Sequence, residues 1–279
     1  MLNYLIVDKI IKDALKEDIP YGDITASSII SKDSNAKASL IAKEDGIICG
    51  LPIFERVFNI LGKVNFNSFI QEGDNVNKGD IIGEVYGDAL NILMGERVAL
   101  NLLQKMSGIA TLTNKYVNKL EGLNTKILDT RKTTANLRIL EKYAVKIGGG
   151  NNHRFSLSDG ILIKDNHIGY AGSIKEAIRL AKENCSFVRK IEVETESEED
   201  VLEALESGAD IIMLDNMTPE EVSKMVQLIN GQSITECSGN ITLDTVRSYA
   251  LSGVDFISSG ELTHSVKAFD ISLKNFTRL

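Results

Sequence analysis

The sequence predicts an α/β protein in which a small α+β unit precedes a regular alternation of strands and helices. Beyond residue 120, short β-rich runs recur at intervals of roughly 20 to 35 residues, with helical patterns between most of them. This repetition is typical of parallel sheets and is compatible with an α/β barrel or a doubly wound sheet. The first part of the chain lacks the repetition, which indicates a separate unit.

The N-terminal unit is predicted from apolar periodicity and turn residues. Residues 4–17 have the apolar spacing of one helix face, and the turn-rich segment 18–23 follows. The next predicted elements are strands at 36–43 and 46–51, a helix starting at Pro52, and strands at 64–70 and 81–86. Together they predict a small α+β unit.

The segment Glu72–Asp80, between the last two of these strands, has the Gly-Asp pattern of hairpins in biotinyl and lipoyl carrier domains. Carrier domains need a modifiable lysine at the tip of the next turn. Residues 87–90 of this chain provide Gly-Asp-Ala-Leu there. We therefore interpret the hairpin as a β scaffold without a carrier function.

The rest of the chain begins with a helical pattern from Leu93 to about Leu120, in which Ser107-Gly108 predicts a kink or a break. Thr218, Pro219 and Glu221 have the spacing of a helix start with a capping box. Strands are predicted at 125–128, 160–163, 190–193, 210–214, 232–235 and 254–257.

Polar residues follow every one of these six predicted strands. They are the segments 129–132, 164–167, 194–196, 215–216, 236–240 and 258–261. Active sites of α/β barrels form where the carboxyl ends of the strands converge. The pattern therefore favours one functional site over a set of ordinary turns.

Charge is distributed unevenly along the chain. Residues 126–167 hold eight Lys or Arg against four Asp or Glu, although the whole chain has a net charge of -8. A local excess of cations in an acidic protein indicates a pocket for a small anion. The pI near 5.1 argues against a nucleic-acid or membrane-surface partner, and the charged N-terminus argues against a signal peptide, so we expect a cytoplasmic protein.

The polar strand ends divide into three kinds of chemistry. Cations that could bind carboxylates or phosphates come from Arg131, Lys132, His153, Arg154 and Lys164. Glu194 and Asp215 offer oxygen ligands for Mg²⁺ or partners for sugar hydroxyls. The turns Ser238-Gly239-Asn240 and Ser259-Gly260 could hold a phosphate on backbone N–H groups.

Simpler interpretations of these residues remain open. Glu192–Glu194 could belong to an ordinary surface strand, and the Ser-Gly pairs could be ordinary turns. Lys164, at the end of an apolar strand, could instead be the Schiff-base lysine of an aldolase.

Eight motifs in order carry a family resemblance. They are Glu96–Asn101, Ser107–Thr111, Asp129–Thr134, Gly148–Arg154, Leu162–His167, Ile191–Glu194, Ile212–Asn216 and Glu236–Asn240. Together they resemble the quinolinate phosphoribosyltransferases, decarboxylating enzymes that make nicotinate mononucleotide for NAD synthesis. The resemblance implies an open α/β barrel, residues 106–266, joined to an N-terminal α/β sandwich, residues 1–105, that also includes 267–279.

The resemblance also implies roles for individual residues. Arg131, His153, Arg154 and Lys164 correspond to the cage around the two quinolinate carboxylates, with Thr130 and Thr133 in the same motif. Lys132, Glu194 and Asp215 correspond to the grip on phosphoribosyl pyrophosphate and Mg²⁺, and Lys132, Lys164, Glu194 and Asp215 to the catalytic set. Ser238, Gly239, Asn240, Ser259, Gly260 and Glu261 correspond to the phosphate-binding turns. Arg97 corresponds to an arginine that reaches the partner's site, which implies a homodimer or a multiple of dimers.

The sequence departs from the family pattern after Thr134, where Ala135-Asn136 replaces the usual Pro-Gly. The change should affect the rigidity of that loop more than its ligands. The remaining rivals are a paralogue of the molybdenum-transport-associated type with another acceptor, the Lys164 aldolase, and a non-catalytic anion-binding protein.

Overall fold

The structure, a computed structural model, describes residues 2–279 and divides into two compact units. The first comprises the chain up to Asn114 together with Thr133–Gly149 and Thr263–Leu279. The second comprises Lys115–Lys132 and Gly150–Leu262. Residues 133–149, assigned from the sequence to the barrel domain, thus group with the first unit by their contacts.

The described residues form helices and strands in the following order along the chain. The helices are α1 (Tyr4–Asp18), α2 (Ile24–Ile29), α3 (Leu51–Leu61), α4 (Ala89–Lys119), α5 (Arg138–Ile147), α6 (Asp165–Ala171), α7 (Ile174–Asn184), α8 (Glu198–Glu206), α9 (Pro219–Ile229), α10 (Val246–Ala250) and α11 (Glu261–His264). The strands are β1 (Asn35–Ala42), β2 (Gly46–Ile47), β3 (Val64–Ser68), β4 (Asn75–Val76), β5 (Ile81–Asp88), β6 (Lys126–Leu128), β7 (Ile161–Ile163), β8 (Ile191–Thr195), β9 (Ile211–Asp215), β10 (Ile234–Ser238), β11 (Phe256–Ser258) and β12 (Ile271–Arg278).

The first unit is built on a four-stranded antiparallel sheet in the order β12-β1-β5-β3. β12, the last strand of the chain, pairs with β1 from Ala42 opposite Ile271 to Ala36 opposite Arg278. The C-terminal segment is expected in this unit, but the sequence pattern does not predict that it forms a strand. The pattern also does not predict α2 or β4, and it predicts a longer β2 than the structure contains.

The sequence predicts a kink or a break at Ser107-Gly108, and the break is wrong, because α4 continues without interruption from Ala89 to Lys119. The Ser107 hydroxyl accepts the Cys49 N–H at 3.0 Å and donates to the Cys49 carbonyl at 3.2 Å. Gly108 lets the carbonyl oxygen of Lys267 come close, since a Cβ there would lie only 2.3 Å from it. These tertiary contacts account for the two small residues within the helix.

The second unit contains a six-stranded parallel sheet in the order β6-β11-β10-β9-β8-β7. β6 and β7 follow each other along the chain but lie at opposite ends of this order. Such an order results when a ring of strands is opened between its first two members, and it confirms the predicted open α/β barrel. All six predicted strands are present.

The strand limits differ slightly from those predicted. β10 ends at Ser238 and β11 at Ser258, later than expected, and Glu194 and Asp215 lie within their strands. The predicted capping box of α9 is confirmed. The Thr218 hydroxyl accepts the Glu221 N–H at 3.3 Å, while the Glu221 carboxylate accepts the Thr218 N–H at 2.8 Å.

Among residues 2–279, no helix is both long enough and apolar enough to cross a bilayer.

Candidate functional site

A cavity of about 320 Å³ lies at the carboxyl ends of the parallel strands in the second unit. Nine of the residues predicted from the sequence line it: Thr130, Arg131, Lys132, His153, Arg154, Lys164, Glu194, Asp215 and Ser238. A cavity of about 620 Å³ beside α6 and α7 is larger, but apolar residues such as Leu157 and Leu180 form much of its wall. The concentration of charged groups identifies the smaller cavity as the candidate active site.

Alternation along the strands explains which side chains reach this cavity. Residues two apart on a strand point to the same face. Leu162, Met213 and Glu236 accordingly line the cavity, each two residues before a predicted site residue, and Ser258 at the end of β11 lines it as well. None of these four was given a role from the sequence, although Glu236 and Ser258 lie in the polar segments 236–240 and 258–261, and counting back by two from Lys164 and Asp215 finds Leu162 and Met213.

The cationic side of the cavity contains two neighbouring arginines. Burial, and after it the charge of Arg131, lowers the pKa of Arg154. One amino group of the Arg154 guanidinium donates to the Gly160 carbonyl at 2.9 Å, which fixes the side chain. Two neighbouring guanidinium groups offer paired donors of the kind that bind carboxylates and phosphates.

The acidic side of the cavity is formed by Asp215 and Glu194. Burial, followed by the Glu194 charge, raises the pKa of Asp215, while Lys164 and a hydrogen bond with Ser238 oppose the shift. The Lys164 ammonium donates to a Glu194 carboxylate oxygen. Asn216 donates to Asp215 at 2.7 Å. Asp215 is therefore the carboxylate of this pair that has no cation bonded to it in the described chain.

Of the predicted phosphate-binding turns, Ser238 ends β10 and lines this cavity, whereas Gly239, Asn240 and Ser259–Glu261 follow β10 and β11 and are not part of its lining. Gly239 has a φ of 101°, and a Cβ there would lie 2.4 Å from the Asn216 side chain, so glycine is required at that position. The Ser259 hydroxyl donates to the Ile241 carbonyl at 3.1 Å. Asn240 and Gly260 complete the two turns.

Glu261 is already engaged by a neighbouring side chain. The hydroxyl of Tyr116, which is fully buried, donates to the Glu261 carboxylate. Burial and this hydrogen bond raise the pKa of Tyr116. The contact gives Glu261 a structural partner that the sequence did not indicate.

Two other predicted residues belong to the first unit. Thr133 accepts a hydrogen bond from the Arg138 guanidinium at 3.0 Å, and Arg97 is exposed on α4. They are therefore not among the residues that the fold of the second unit brings together.

A buried cluster of His153, Glu192 and Glu236 lies at the wall of the cavity. The His153 Nε2 atom is 3.1 Å from Glu192 and 3.5 Å from Glu236, and the two glutamates are 4% and 2% exposed. Burial and the Glu192 charge raise the pKa of Glu236 to about 7. The interpretation of Glu192–Glu194 as a surface strand is wrong, because β8 lies between β7 and β9.

Comparison with known families decides the assignment. The family model described as "Quinolinate phosphoribosyl transferase, C-terminal domain" matches residues 109–274, and the corresponding N-terminal domain model matches residues 23–107. The chain belongs to the quinolinate phosphoribosyltransferase family.

Related proteins match this chain over nearly its full length. The chain is 46% identical to the probable nicotinate-nucleotide pyrophosphorylase (carboxylating) of Bacillus subtilis, over 98% of this chain and 94% of that protein. It is 48% identical to the protein of the same name from Methanocaldococcus jannaschii, over 95% of each. The crystal structure of NadC from Streptococcus pyogenes superimposes with a TM-score of 0.96 at 45% identity, covering 100% of this chain and 99% of that one.

Proposed function

We propose that the chain transfers phosphoribosyl from phosphoribosyl pyrophosphate to quinolinate with loss of CO2, giving nicotinate mononucleotide and pyrophosphate in NAD biosynthesis. Membership of the quinolinate phosphoribosyltransferase family supports both substrates. The observation that carries the proposal is that one cavity has arginines on one side and paired carboxylates on the other.

The cationic side suits a dicarboxylate acceptor. Arg131 and Arg154 can bind carboxylates bidentately, and Lys164 adds a third cation at the same wall. The Lys164 ammonium is held by Glu194, so it is not a free amine, which favours this role over that of a Schiff-base nucleophile.

The acidic side suits the developing charge on the ribose. When pyrophosphate leaves C1, positive charge builds on the sugar, and Glu194 and Asp215 can stabilise it. The pyridine nitrogen of quinolinate then attacks C1. When the bond between ring carbon C2 and its carboxylate breaks, CO2 leaves and the electron pair stays on C2, where the adjacent pyridinium nitrogen stabilises it. A proton from solvent then takes the place of the lost carboxylate.

The two carboxylates also fit the predicted Mg²⁺ cofactor. The charge of Glu194 raises the pKa of Asp215. A cation bound between the two carboxylates would relieve this repulsion. Both offer the oxygen atoms that Mg²⁺ prefers, and Asp215 would be its main ligand because Glu194 already binds Lys164. Bound Mg²⁺ would neutralise charge on the pyrophosphate leaving group.

The oligomeric state and the cellular compartment of the enzyme form the last part of the proposed function. We infer a homodimer or a multiple of dimers in which the exposed Arg97 enters the site of the other copy. Ser238–Asn240 and Ser259–Glu261 would bind phosphate through their turns. The acidic composition is consistent with a cytoplasmic enzyme.

The decisive experiment incubates the protein with quinolinate, phosphoribosyl pyrophosphate and Mg²⁺ and measures CO2 and nicotinate mononucleotide. Nicotinate is the control acceptor, because it lacks the second carboxylate. Formation of product with quinolinate as acceptor, and none with nicotinate, supports the proposal. Product from nicotinate but not from quinolinate would contradict it and favour the paralogue.

A further inference from the structure

Both ring nitrogens of His153 are engaged by the protein itself. Nδ1 accepts the backbone N–H of Arg154 at 2.7 Å. Nε2 lies 3.1 and 3.3 Å from the two oxygens of the Glu192 carboxylate. A nitrogen that accepts a hydrogen bond carries no proton, so the ring is neutral and its proton lies on Nε2, between the ring and the glutamates.

We propose that Glu192 and Glu236 are positioning residues that fix this tautomer of His153 and thereby hold the backbone of Arg154 at the cavity. The inference rests on the proposed function, in which Arg154 binds a carboxylate of the acceptor. His153 then acts through Arg154 and is not itself a cation of the carboxylate cage.

The surroundings of the cluster support this arrangement. Two buried carboxylates are costly unless hydrogen bonds and opposite charges compensate them. Glu192 interacts with the charge of Arg154, and Glu236 with that of Lys164. Glu192 thus holds Arg154 through its charge as well as through the His153 ring.

A bound metal ion is the main alternative for this cluster. One ligand atom from each of the three residues lies within 4.8 Å of the others, and Oε1 of Glu236 is buried without a hydrogen-bond partner in the described chain. Coordination by Nε2, however, would transfer the ring proton to Nδ1, where it would face the Arg154 N–H. The hydrogen bond at Nδ1 therefore favours the positioning role.

The experiment uses protein labelled with ¹⁵N at histidine, which contains only three histidines, His153, His167 and His264. A His153→Gln variant assigns the signals. The test variant Glu192→Leu/Glu236→Leu removes both acceptors, whereas Glu192→Gln/Glu236→Gln retains them. Glu199→Gln, at an exposed position on α8, is the matched control.

We expect His153 of the unchanged protein to show an unprotonated Nδ1 and a protonated Nε2. The leucine variant should lose this single tautomer and raise the KM for quinolinate about tenfold, with kcat changed less than about threefold, since binding is weakened more than chemistry. The glutamine variant should retain the tautomer and most of the affinity. If the leucine variant does not fold, Glu192→Leu alone provides the same comparison.

Three results would overturn the inference. They are a protonated Nδ1 in the unchanged protein, a leucine variant with unchanged tautomer and KM, and a His153 signal that changes on dialysis against EDTA, which would identify an ion site. The tautomer is measured without substrate. Failure of the unchanged protein to convert quinolinate would therefore count against the proposed function. The tautomer of His153 would still be determined independently of that result.

Discussion

The carboxylate of Asp129 accepts the backbone N–H of His153 at 2.9 Å. Asp129 is fully buried after β6, and its other oxygen accepts the Asn152 amide at 2.5 Å. One side chain thus ties the segment carrying Arg131 to the segment carrying Arg154. Backbone hydrogen bonds of Asn151 with Ile127 and Asp129 join the same two segments, so the side chain adds to an existing backbone link within the second unit.

Replacing Asp129 by Asn should therefore loosen the cationic side. We expect unfolding free energy to fall by about 2 kcal/mol, because a buried charged acceptor of two hydrogen bonds is lost. The KM for quinolinate should rise as well. Urea unfolding and steady-state kinetics measure both. Asp159→Asn is the control, since Asp159 is exposed and accepts one N–H from Phe155; an equal loss there would contradict the assignment.

The two sides of the cavity should respond differently to mutation. Arg131→Ala and Arg154→Ala should mainly raise the KM for quinolinate, because each removes a carboxylate partner. Glu194→Ala and Asp215→Ala should mainly lower kcat, by roughly 100-fold, because they remove transition-state stabilisation. Steady-state kinetics on purified variants decide the matter. Unchanged quinolinate saturation in both arginine variants would exclude the carboxylate cage.

Glu236 predicts a pH-dependent contribution to stability. Its pKa rises from 4.5 to about 7 on folding, so its neutral form is favoured in the folded state. Relative to Glu236→Gln, the unchanged protein should lose about 3 kcal/mol of stability as the pH rises from 4.5 to above 7. Urea unfolding of both proteins across that range measures the difference. A constant difference in unfolding free energy would show that folding does not raise the pKa of Glu236.

Gly108 should be intolerant of a side chain. A Cβ at this position lies 2.3 Å from the Lys267 carbonyl oxygen, so Gly108→Ala forces the backbone apart. We expect a loss of about 3 kcal/mol. Gly169→Ala on α6 is the matched control, because nothing lies within 4 Å of its Cβ, and it should gain up to about 1 kcal/mol. Thermal unfolding compares them, and equal stabilities would contradict the close approach.

The sequence predicted the fold class because the alternation of strand and helix repeats along the chain and identifies a parallel sheet locally. It did not predict β12, whose partner β1 lies at the other end of the sequence. It placed a break at Ser107-Gly108 because small residues inside a helix have the same local signature whether they bend it or pack closely. Only tertiary contacts distinguish the two.

The sequence predicted those site residues that lie at or just after the carboxyl ends of the strands. It gave no role to two carboxylates that lie further back within strands. Glu236 and Glu192 lie inside strands, where a carboxylate is usually read as exposed. Their burial depends on Arg154, Lys164 and His153, which come from other strands and loops. Such compensation is a property of the assembled barrel and leaves no local pattern.

The pairing of β12 with β1 has a consequence for the order of synthesis. During translation, β1 emerges from the ribosome long before β12, the strand that pairs with one of its edges. Until β12 has been made, that edge of β1 exposes backbone groups that another chain could bind. The first unit is thus begun before the second and completed after it, so its nascent form exposes an edge at which aggregation could start.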